Sequence, residues 1–537
     1  MMAFTSLGFW ALFAATFLAI EWAKKSADEA RFLVWRKWLY LLFSLAFYGL
    51  ASGKLLVVML ASIGTNHALA RWMHRSRSRL AVVLAVTFNV VLLGTFKYAY
   101  FVAGLFPEAM PAQGFQWGGF RLEQWMLPLG ISFYTFQSIS HALDVHRGRL
   151  PQPTSLLSFA TYITFFPQLV AGPIVRAADF LPQLERRVSD SLSSQKHHLG
   201  LIVQGFMKKM VFGDWVGTLL VDPVFGAPVD HSGVDLALAL YGYSLQVYAD
   251  FSGYTDMAQG MAGLLGMRLP KNFDFPYKAT SPAEFWRRWH MSLSQWWKDY
   301  VYIPLGGNRT FSWVSIAFLC ALMGLWGMQW NETGGWLVVA GSALLLAAGS
   351  LMSPAFRAKL ATSSNVFLVM LLGGLWHGSH LNFVTWGAIN GLAIVAWIWL
   401  RRPSSSAWRL LLGWFCTFHI VVLSRIWFRA GSLTAWSELS EGPHPSDAWE
   451  NAQLIAAQLV SPQVWHAMSW NASVWMGAGL MLLGYSIHWM PSAWQHRLDQ
   501  ISRKMPFWAL WLTWAGLVAC AVMTEQSQGK PFIYWQF

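Results

Sequence analysis

The sequence predicts an all-α, polytopic integral membrane protein, and three observations lead to this prediction. Of its 537 residues, 55% are hydrophobic and only 12% are charged, about half the charged fraction of a typical soluble domain. The mean hydropathy is +0.39. The chain also contains 34 Trp and 37 Phe residues, an aromatic content typical of helices that are anchored at membrane interfaces.

Apolar segments long enough to cross a bilayer as helices, about 20 residues each, recur along the whole chain. We predict about fourteen crossings on this criterion. They lie near residues 4–22, 38–52, 54–70, 80–106, 124–144, 200–220, 234–265, 311–330, 335–352, 364–380, 382–400, 407–428, 474–490 and 507–524. One further apolar stretch, 155–174, is interrupted by Pro167, Gly172 and Pro173, so we predict that it is re-entrant.

The net charge of +13 arises from short basic runs between apolar segments. By the positive-inside rule, the side that carries these runs is cytoplasmic. The loop 431–472 contains no Lys or Arg, so this loop and both termini are predicted on the opposite side, the periplasm if the membrane is a bacterial inner membrane. No basic helix or stacking module accompanies the charge, which argues against nucleic-acid binding. The basic residues that define the inner side are Lys24, Lys25, Arg31, Arg36, Lys37, Arg71, Arg75, Arg77, Arg79, Arg147, Arg149, Arg176, Arg186, Arg187 and Lys196.

Residues 268–309 interrupt the series of spans, because they are too polar to cross and too aromatic for a solvated loop. A helix is predicted to begin after Ser281, with Pro282 in its first turn and Glu284 completing a capping box. Taken alone, these residues favour an interfacial amphipathic helix in which His290 is merely packed. The residues that would share one face of that helix are Trp286, Trp289, His290, Leu293 and Trp297.

A second anomaly is the segment LLGGLWHGSHLNF, which places His377 near the end of an apolar span. Ionisable residues at membrane depth are rare and suggest function, although a neighbouring helix could equally satisfy this histidine. His380 is better explained as an interface residue. A metal site at His377 and His380 is disfavoured, because no nearby carboxylate or cysteine completes a ligand set. The three cysteines, Cys320, Cys416 and Cys520, are widely spaced in apolar stretches and are predicted to be inert.

Further polar residues occur inside predicted spans, where they must face protein or a watery cavity rather than lipid. Hydrogen bonding between helices is one explanation, and a polar path or tunnel through the bundle is the other. These residues are Gln137, His141, Asp144, Asp250, Ser252, Thr255 and Asp256.

The motifs YADFSGYTDMA, EFWRRWH and WWKDYVYIPLGGNR, between Gln246 and Arg309, resemble those of the membrane-bound O-acyltransferase family. The similarity is to its bacterial branch that acetylates exopolysaccharides and peptidoglycan. Supporting segments are LPLGISFYTFQSIS, FFPQLVAGPIVR, LLGGLWHG and the terminal FIYWQF. The resemblance implies a single membrane-embedded domain over 1–537 with a central tunnel, and it favours a functional role for both histidines.

The resemblance also implies roles for individual residues. His377 is the expected general base, because imidazole is the base best matched to neutral pH. His290 is expected to orient the donor or to stabilise the oxyanion. From charge and predicted cytoplasmic side alone, and not from the resemblance, a group of residues beside His290 is expected to bind the acyl-coenzyme A co-substrate, although solvated rim charges explain it equally well. This group comprises Trp289, Arg287, Arg288, Lys298, Asn308 and Arg309.

The terminal segment FIYWQF contains Tyr534, which is either an acyl relay or an aromatic anchor at the interface. His290 and His377 are further apart than is usual in this branch, and the excess is an apparent helical hairpin at 311–360. The expected subdivisions are N-terminal helices, a core with the WRRWH motif, the hairpin, the catalytic-histidine region, a periplasmic loop and C-terminal helices. Their bounds are 1–90, 91–310, 311–360, 361–430, 431–472 and 473–537.

The resulting functional prediction is an inner-membrane O-acetyltransferase that moves acetyl from acetyl-CoA towards a periplasmic acceptor, for O-acetylation of an alginate- or cellulose-like exopolysaccharide. No tightly bound cofactor and no metal are expected. The expected partners are membrane lipid, the acyl-CoA donor, a periplasmic acetyltransferase and a polysaccharide synthase complex. Peptidoglycan or a lipid is the alternative acceptor. A transporter is the alternative class, but the chain lacks the repeat symmetry common in transporters.

Overall fold

The computed structural model describes residues 7–104, 116–117, 120–121, 127–150, 153–169, 171–186, 192–310, 354–400, 406–433, 445–461 and 472–491, with scattered residues between 312 and 341 and between 493 and 519. These residues are predominantly helical, as predicted. A two-residue antiparallel pair, β1 (Gln116–Trp117) and β2 (Phe120–Arg121), is an exception. The described residues form two compact units, one within Met1–Asn272 and Ser432–Phe537, the other within Phe273–Gly431.

The helices are numbered here in chain order. They are α1 (Leu7–Ser26), α2 (Glu29–Ser52), α3 (Leu56–Ser76), α4 (Arg79–Gly104), α5 (Ile131–His146), α6 (Leu156–Thr164), α7 (Phe166–Leu169), α8 (Ala177–Leu184), α9 (Leu192–Met207), α10 (Asp222–Gly226), α11 (Gly233–Leu264), α12 (Pro282–Arg288), α13 (Met291–Trp297), α14 (Pro354–His377), α15 (Leu381–Leu400), α16 (Ala407–Leu433), α17 (Pro445–Val460) and α18 (Ala472–Trp489). Wider π-helical turns follow α9 at Lys208–Trp215 and Gly217–Val221, and follow α13 at Lys298–Tyr302.

Among the described residues, five helical segments are long and apolar enough to cross a membrane. They are Glu29–Ser76, Arg79–Ala99, Pro354–His377, Leu381–Leu400 and Ala407–Ala430. The chain is therefore a multi-pass membrane protein. The number of fourteen crossings stays a prediction, and the expected hairpin at 311–360 lies largely outside the described residues.

The stretch predicted to be re-entrant consists of short helices in the structure. α6 has 9 residues and α7 has 4, so neither can cross a bilayer, which needs about 20. Arg36, which follows the first span, donates hydrogen bonds to the backbone carbonyls of Gln183 and Leu184 at the end of α8. The basic segment after the first span thus contacts the end of α8, and the re-entrant path stays a prediction.

Two acidic residues of the expected polar path form ion pairs, one buried and one partly exposed, between α11 and the turns that follow α9. Lys209 Nζ lies 2.5 Å from Asp250 Oδ1 and 2.8 Å from Asp214 Oδ1. The neighbouring Lys208 Nζ lies 2.6 Å from Asp256 Oδ2. Buried charges are tolerated when they are paired, so these carboxylates connect helices in the first unit.

The predicted loop 431–472 contains a helix that the sequence analysis did not identify. α17 buries Ala448, Ala452 and Ile455, which recur at the spacing of one helix face. At 16 residues it is shorter than a membrane span. Its acidic residues also led the sequence analysis to treat the segment as a loop.

Candidate active site

His290 lies at a break in the helix that the sequence predicted to be continuous. That prediction is wrong, because α12 ends at Arg288 and α13 begins at Met291. The backbone of His290 has φ 44° and ψ 55°, in the left-handed region, where a helix of L-residues cannot continue. The side chain is 1% exposed. The break reorients the chain at His290 and allows α13 to begin in a new direction.

The start of α12 follows the predicted cap in part. Ser281 Oγ accepts a hydrogen bond of 3.2 Å from the Glu284 backbone N–H. The Glu284 carboxylate, however, accepts from the backbone and the hydroxyl of Thr280, both at 2.9 Å. The same carboxylate pairs with Arg288 at 2.8 Å, and Arg288 also contacts Asp274 at 3.3 Å. Arg288 is therefore engaged in fixing α12.

His377 is the last residue of α14, and glycines set the position of this helix against α15. A Cβ on Gly374 would overlap the backbone carbonyl of Phe383, and one on Gly387 would overlap that of Met370. The two backbones can approach this closely only because both residues lack a side chain. His377 is thus held at a tight helix–helix contact, where it is 4% exposed.

Both histidines line one cavity of about 180 Å³ within the second unit. One wall comes from α12, α13 and the π-helical turn, the opposite wall from one face of α14, with Trp386 of α15 between them. The first wall contains Trp286, Trp289, His290, Leu293, Ser294, Trp297, Lys298 and Tyr302. The α14 wall contains Val366, Val369, Met370, Gly373 and His377.

Aromatic rings hold the two imidazoles in place. The ring centroid of His377 lies 5.1 Å from that of Trp386 and 5.5 Å from that of Phe428, both edge to face. The ring of Trp376 lies 6.2 Å from His290 and 4.9 Å from His377. Edge-to-face contacts at these distances are favourable. The two histidines therefore occupy one aromatic surround although 86 residues separate them in the chain.

His290 lies outside the five described spans, and its burial lowers its pKa well below the ordinary value. The charged form of an imidazole loses its hydration in such surroundings, so the neutral form predominates at pH 7. A neutral imidazole can accept a proton or a hydrogen bond at one ring nitrogen and donate at the other. The residue therefore has the protonation state that acid–base or orienting chemistry requires.

The residues predicted to bind the donor are distributed unevenly around the cavity. Trp289 and Lys298 line it. Asn308 is exposed, but its side chain accepts a hydrogen bond from the hydroxyl of Tyr302, which lines the cavity. Arg287 and Arg309 are exposed and do not belong to the wall. Tyr534 lies outside the described residues.

The sequence analysis did not identify several residues of the wall and its surround. Trp386 and Tyr302 are ordinary aromatic residues in a Trp-rich chain, so only their position distinguishes them. Arg425 had a recognisable signal, because it is a cation inside the apolar span of α16, the feature that drew attention to His377. It is 2% exposed and contacts Trp289.

The same substitution at two neighbouring glycines of α14 should change the stability of the protein by different amounts. Gly374→Leu is expected to destabilise the protein, because its side chain would force α14 and α15 apart, and overpacking of this kind costs about 1–3 kcal/mol or more. Gly373→Leu is expected to be tolerated, because a Cβ at Gly373 meets no atom within 4 Å. The melting temperature of each detergent-solubilised variant measures the difference. Equal losses of stability would contradict this account of the helix contact.

Comparison with known proteins agrees with the resemblance noted in the sequence. The family model described as MBOAT, membrane-bound O-acyltransferase family, matches residues 2–326. This range includes His290 and ends before His377.

The chain is 35% identical over 380 residues to the probable alginate O-acetylase of Pseudomonas aeruginosa, covering 70% of this chain and 62% of that relative. It is 31% identical over 442 residues to the peptidoglycan O-acetyltransferase of Helicobacter pylori, covering 75% and 73%. It is 25% identical over 304 residues to the teichoic acid D-alanyltransferase of Bacillus subtilis, covering 55% and 66%. The chain thus matches less than two thirds of the length of the alginate relative.

Proposed function

Because the chain belongs to the membrane-bound O-acyltransferase family, we propose that it moves an acetyl group from acetyl-CoA towards an acceptor hydroxyl. The observation that carries this proposal is that His290 and His377 both lie on the walls of one cavity. The relatives named for alginate O-acetylation and peptidoglycan O-acetylation support acetyl as the group transferred.

The proposed chemistry is acyl transfer by general acid–base catalysis. The His377 imidazole removes the proton of the acceptor hydroxyl as its oxygen attacks the thioester carbonyl. The C–S bond then breaks, and the imidazolium returns the proton to the departing thiolate, so that an oxygen ester and free coenzyme A result. His290 orients the donor or stabilises the oxyanion of the tetrahedral intermediate.

The shape of the cavity supports a donor that arrives from the basic side of the membrane. The α14 wall runs from Val366 to His377, which is about 16 Å at 1.5 Å per residue, long enough for an extended thioester arm. We propose that Lys298, which lines the cavity, lies at its Val366 end. There its ammonium binds a phosphate of coenzyme A. Arg357 and Lys359 in the first turns of α14 support the assignment of this end to the cytoplasmic side.

The acceptor side of the proposal is an exopolysaccharide of the alginate or cellulose type. A periplasmic acetyltransferase and a polysaccharide synthase complex are the proposed partners, and the bacterial inner membrane is the proposed location, with both termini in the periplasm. Peptidoglycan is the alternative acceptor, which the Helicobacter pylori relative supports. Analysis of acetyl esters in the polymers of a deletion strain decides between them, because only the true acceptor loses its esters.

The direct test uses purified protein in lipid nanodiscs with acetyl-CoA. We expect release of free coenzyme A that depends on an added acceptor, measured with a thiol reagent. Absence of both acceptor-dependent release and acceptor-independent hydrolysis would contradict an acyl-CoA donor. In sealed proteoliposomes, movement of acetyl-CoA or coenzyme A into the lumen without transfer would favour the transporter class.

Tyr534 provides a prediction on the route of the acetyl group. Tyr534→Phe is expected to abolish polymer acetylation if the hydroxyl is an acyl relay, because the ring and its anchoring are retained while the nucleophile is lost. Acetyl content of the polymer measures the effect, and Tyr534→Ala shows the loss of the ring itself. Full acetylation with Tyr534→Phe would leave only the anchoring role.

A further inference from the structure

Arg425 is a buried cation beside the candidate active site. The proposed chemistry assigns it no role. It lies in α16 and is 2% exposed. Its guanidinium carbon lies 4.8 Å from the ring centroid of Trp289 and 5.4 Å from that of Phe428. Among the residues that the structure describes, no carboxylate pairs with it, and its Nε has no hydrogen-bond partner. Burying a charge in this way is costly unless other interactions compensate.

The two rings that Arg425 contacts belong to opposite sides of the site. Trp289 immediately precedes His290 and lines the cavity. Phe428 packs on His377 at 5.5 Å and on Trp386 at 5.0 Å. A cation over an aromatic face is attracted more strongly when both groups are desolvated, which offsets part of the burial cost at Arg425.

The remaining contacts of α16 fix where Arg425 lies. Gly413 approaches the backbone carbonyl of Thr280 so closely that a Cβ would overlap it. The Trp414 indole N–H donates to the Tyr277 carbonyl at 3.0 Å, and Phe418 contacts the Tyr277 ring at 5.6 Å. α16 is thus anchored along the segment that leads into α12, and Arg425 is presented to Trp289 by a helix that is itself held in place.

We infer that Arg425 is a positioning residue: its guanidinium holds the Trp289 ring, and with it the turn that carries His290, against the Phe428 ring that packs on His377. The arrangement needs a planar cation, because guanidinium stacks on aromatic faces better than a compact ammonium does. Only the effect of this role on catalysis rests on the proposed function. The position of Trp289 can be tested without any assay of acyl transfer.

The test uses a reporter on the cavity wall. Gly373→Cys places a thiol where a Cβ meets no atom within 4 Å, in protein whose native cysteines, Cys320, Cys416 and Cys520, are replaced by Ala. The rate of reaction with N-ethylmaleimide then reports access to the cavity. Arg425→Met is expected to raise this rate about tenfold, which corresponds to about 1.4 kcal/mol of lost attraction for the ring, and Arg425→Lys to raise it less.

The matched control is Arg409→Met, which removes an exposed arginine from the same helix and should leave the labelling rate unchanged. Trp289→Phe weakens the cation–π contact without removing the charge, so it should raise the rate even if Arg425→Met does not fold. In a double-mutant cycle, Arg425→Met should add little to Trp289→Leu, because the two residues act through one contact.

Kinetics separate positioning from a structural role. Arg425→Met is expected to lower kcat about tenfold with little change in KM for acetyl-CoA, and Arg425→Lys to restore part of kcat. An unchanged labelling rate in folded Arg425→Met and Trp289→Phe would overturn the inference. Altered labelling in a protein without acyl-transfer activity would support the positioning role and contradict the proposed function.

Discussion

His377→Ala is expected to remove nearly all acyl-transfer activity while the protein remains folded and inserted. Removing a general base lowers the rate by about 10²–10⁴-fold, since the acceptor hydroxyl then has no group to take its proton. The imidazole also packs against the rings of Trp386 and Phe428, so a modest loss of stability accompanies the change. Acceptor-dependent release of coenzyme A measures activity, and the melting temperature in detergent measures folding.

The matched control for this experiment is His419→Ala. His419 lies on α16 of the same unit, and its ring contacts Phe415 rather than the cavity. We expect this variant to keep its activity within about twofold, because its ring does not line the cavity and surface substitutions change stability by only about 0.5 kcal/mol. Full activity of His377→Ala would reject His377 as the base. Equal loss in both variants would indicate damage to α14 and α16 rather than to catalysis.

Lys209→Met is expected to destabilise the protein severely. The substitution leaves Asp250, whose side chain is 2% exposed, as a buried charge without its lysine. Breaking a buried ion pair from one side costs about 3–5 kcal/mol, a large share of the stability of a typical domain. The yield of monodisperse protein after solubilisation and its melting temperature should both fall.

Two further variants test the physical reason. Lys209→Met combined with Asp250→Leu removes the buried pair and leaves only the partly exposed Asp214 without its lysine. It is expected to recover much of the lost stability, because apolar replacement of a buried pair is often neutral. Lys24→Met breaks the partly exposed pair with Glu21, which should cost at most about 1 kcal/mol. A double variant as unstable as Lys209→Met alone would show that the lysine contributes by something other than charge.

The sequence sufficed to identify the two histidines but not the backbone that presents them. Helical spacing from Trp286 to Trp297 predicted one continuous helix, and the left-handed conformation at His290 interrupts it. Tertiary packing selects this conformation, since α12 is fixed by Glu284 and Arg288 while α13 follows the cavity wall. A periodic pattern of apolar residues does not reveal such a break. A positive φ is uncommon in residues other than glycine, so His290 gave no reason to expect one.

The sequence also could not predict which residues contact each other in the folded chain. Asp250 was recognised as a buried acid, but its lysine lies 41 residues earlier and was hidden in an apolar stretch. Gly373 and Gly374 are identical in composition and adjacent in sequence, yet one opens a cavity and the other allows two backbones to touch. Such differences depend on which face of α14 each residue occupies relative to α15, which only the packed structure determines.

The glycine contact between α14 and α15 has a consequence for motion. Two helices whose backbones touch at Gly374 and Gly387 have no side chain between them that could change rotamer, so they should move as one rigid body. His377 then keeps a fixed place on its wall. Any widening that admits or releases a substrate within this unit should come from the opposite wall, where two short helices meet at His290 and hinge-like rotation requires few residues to change conformation.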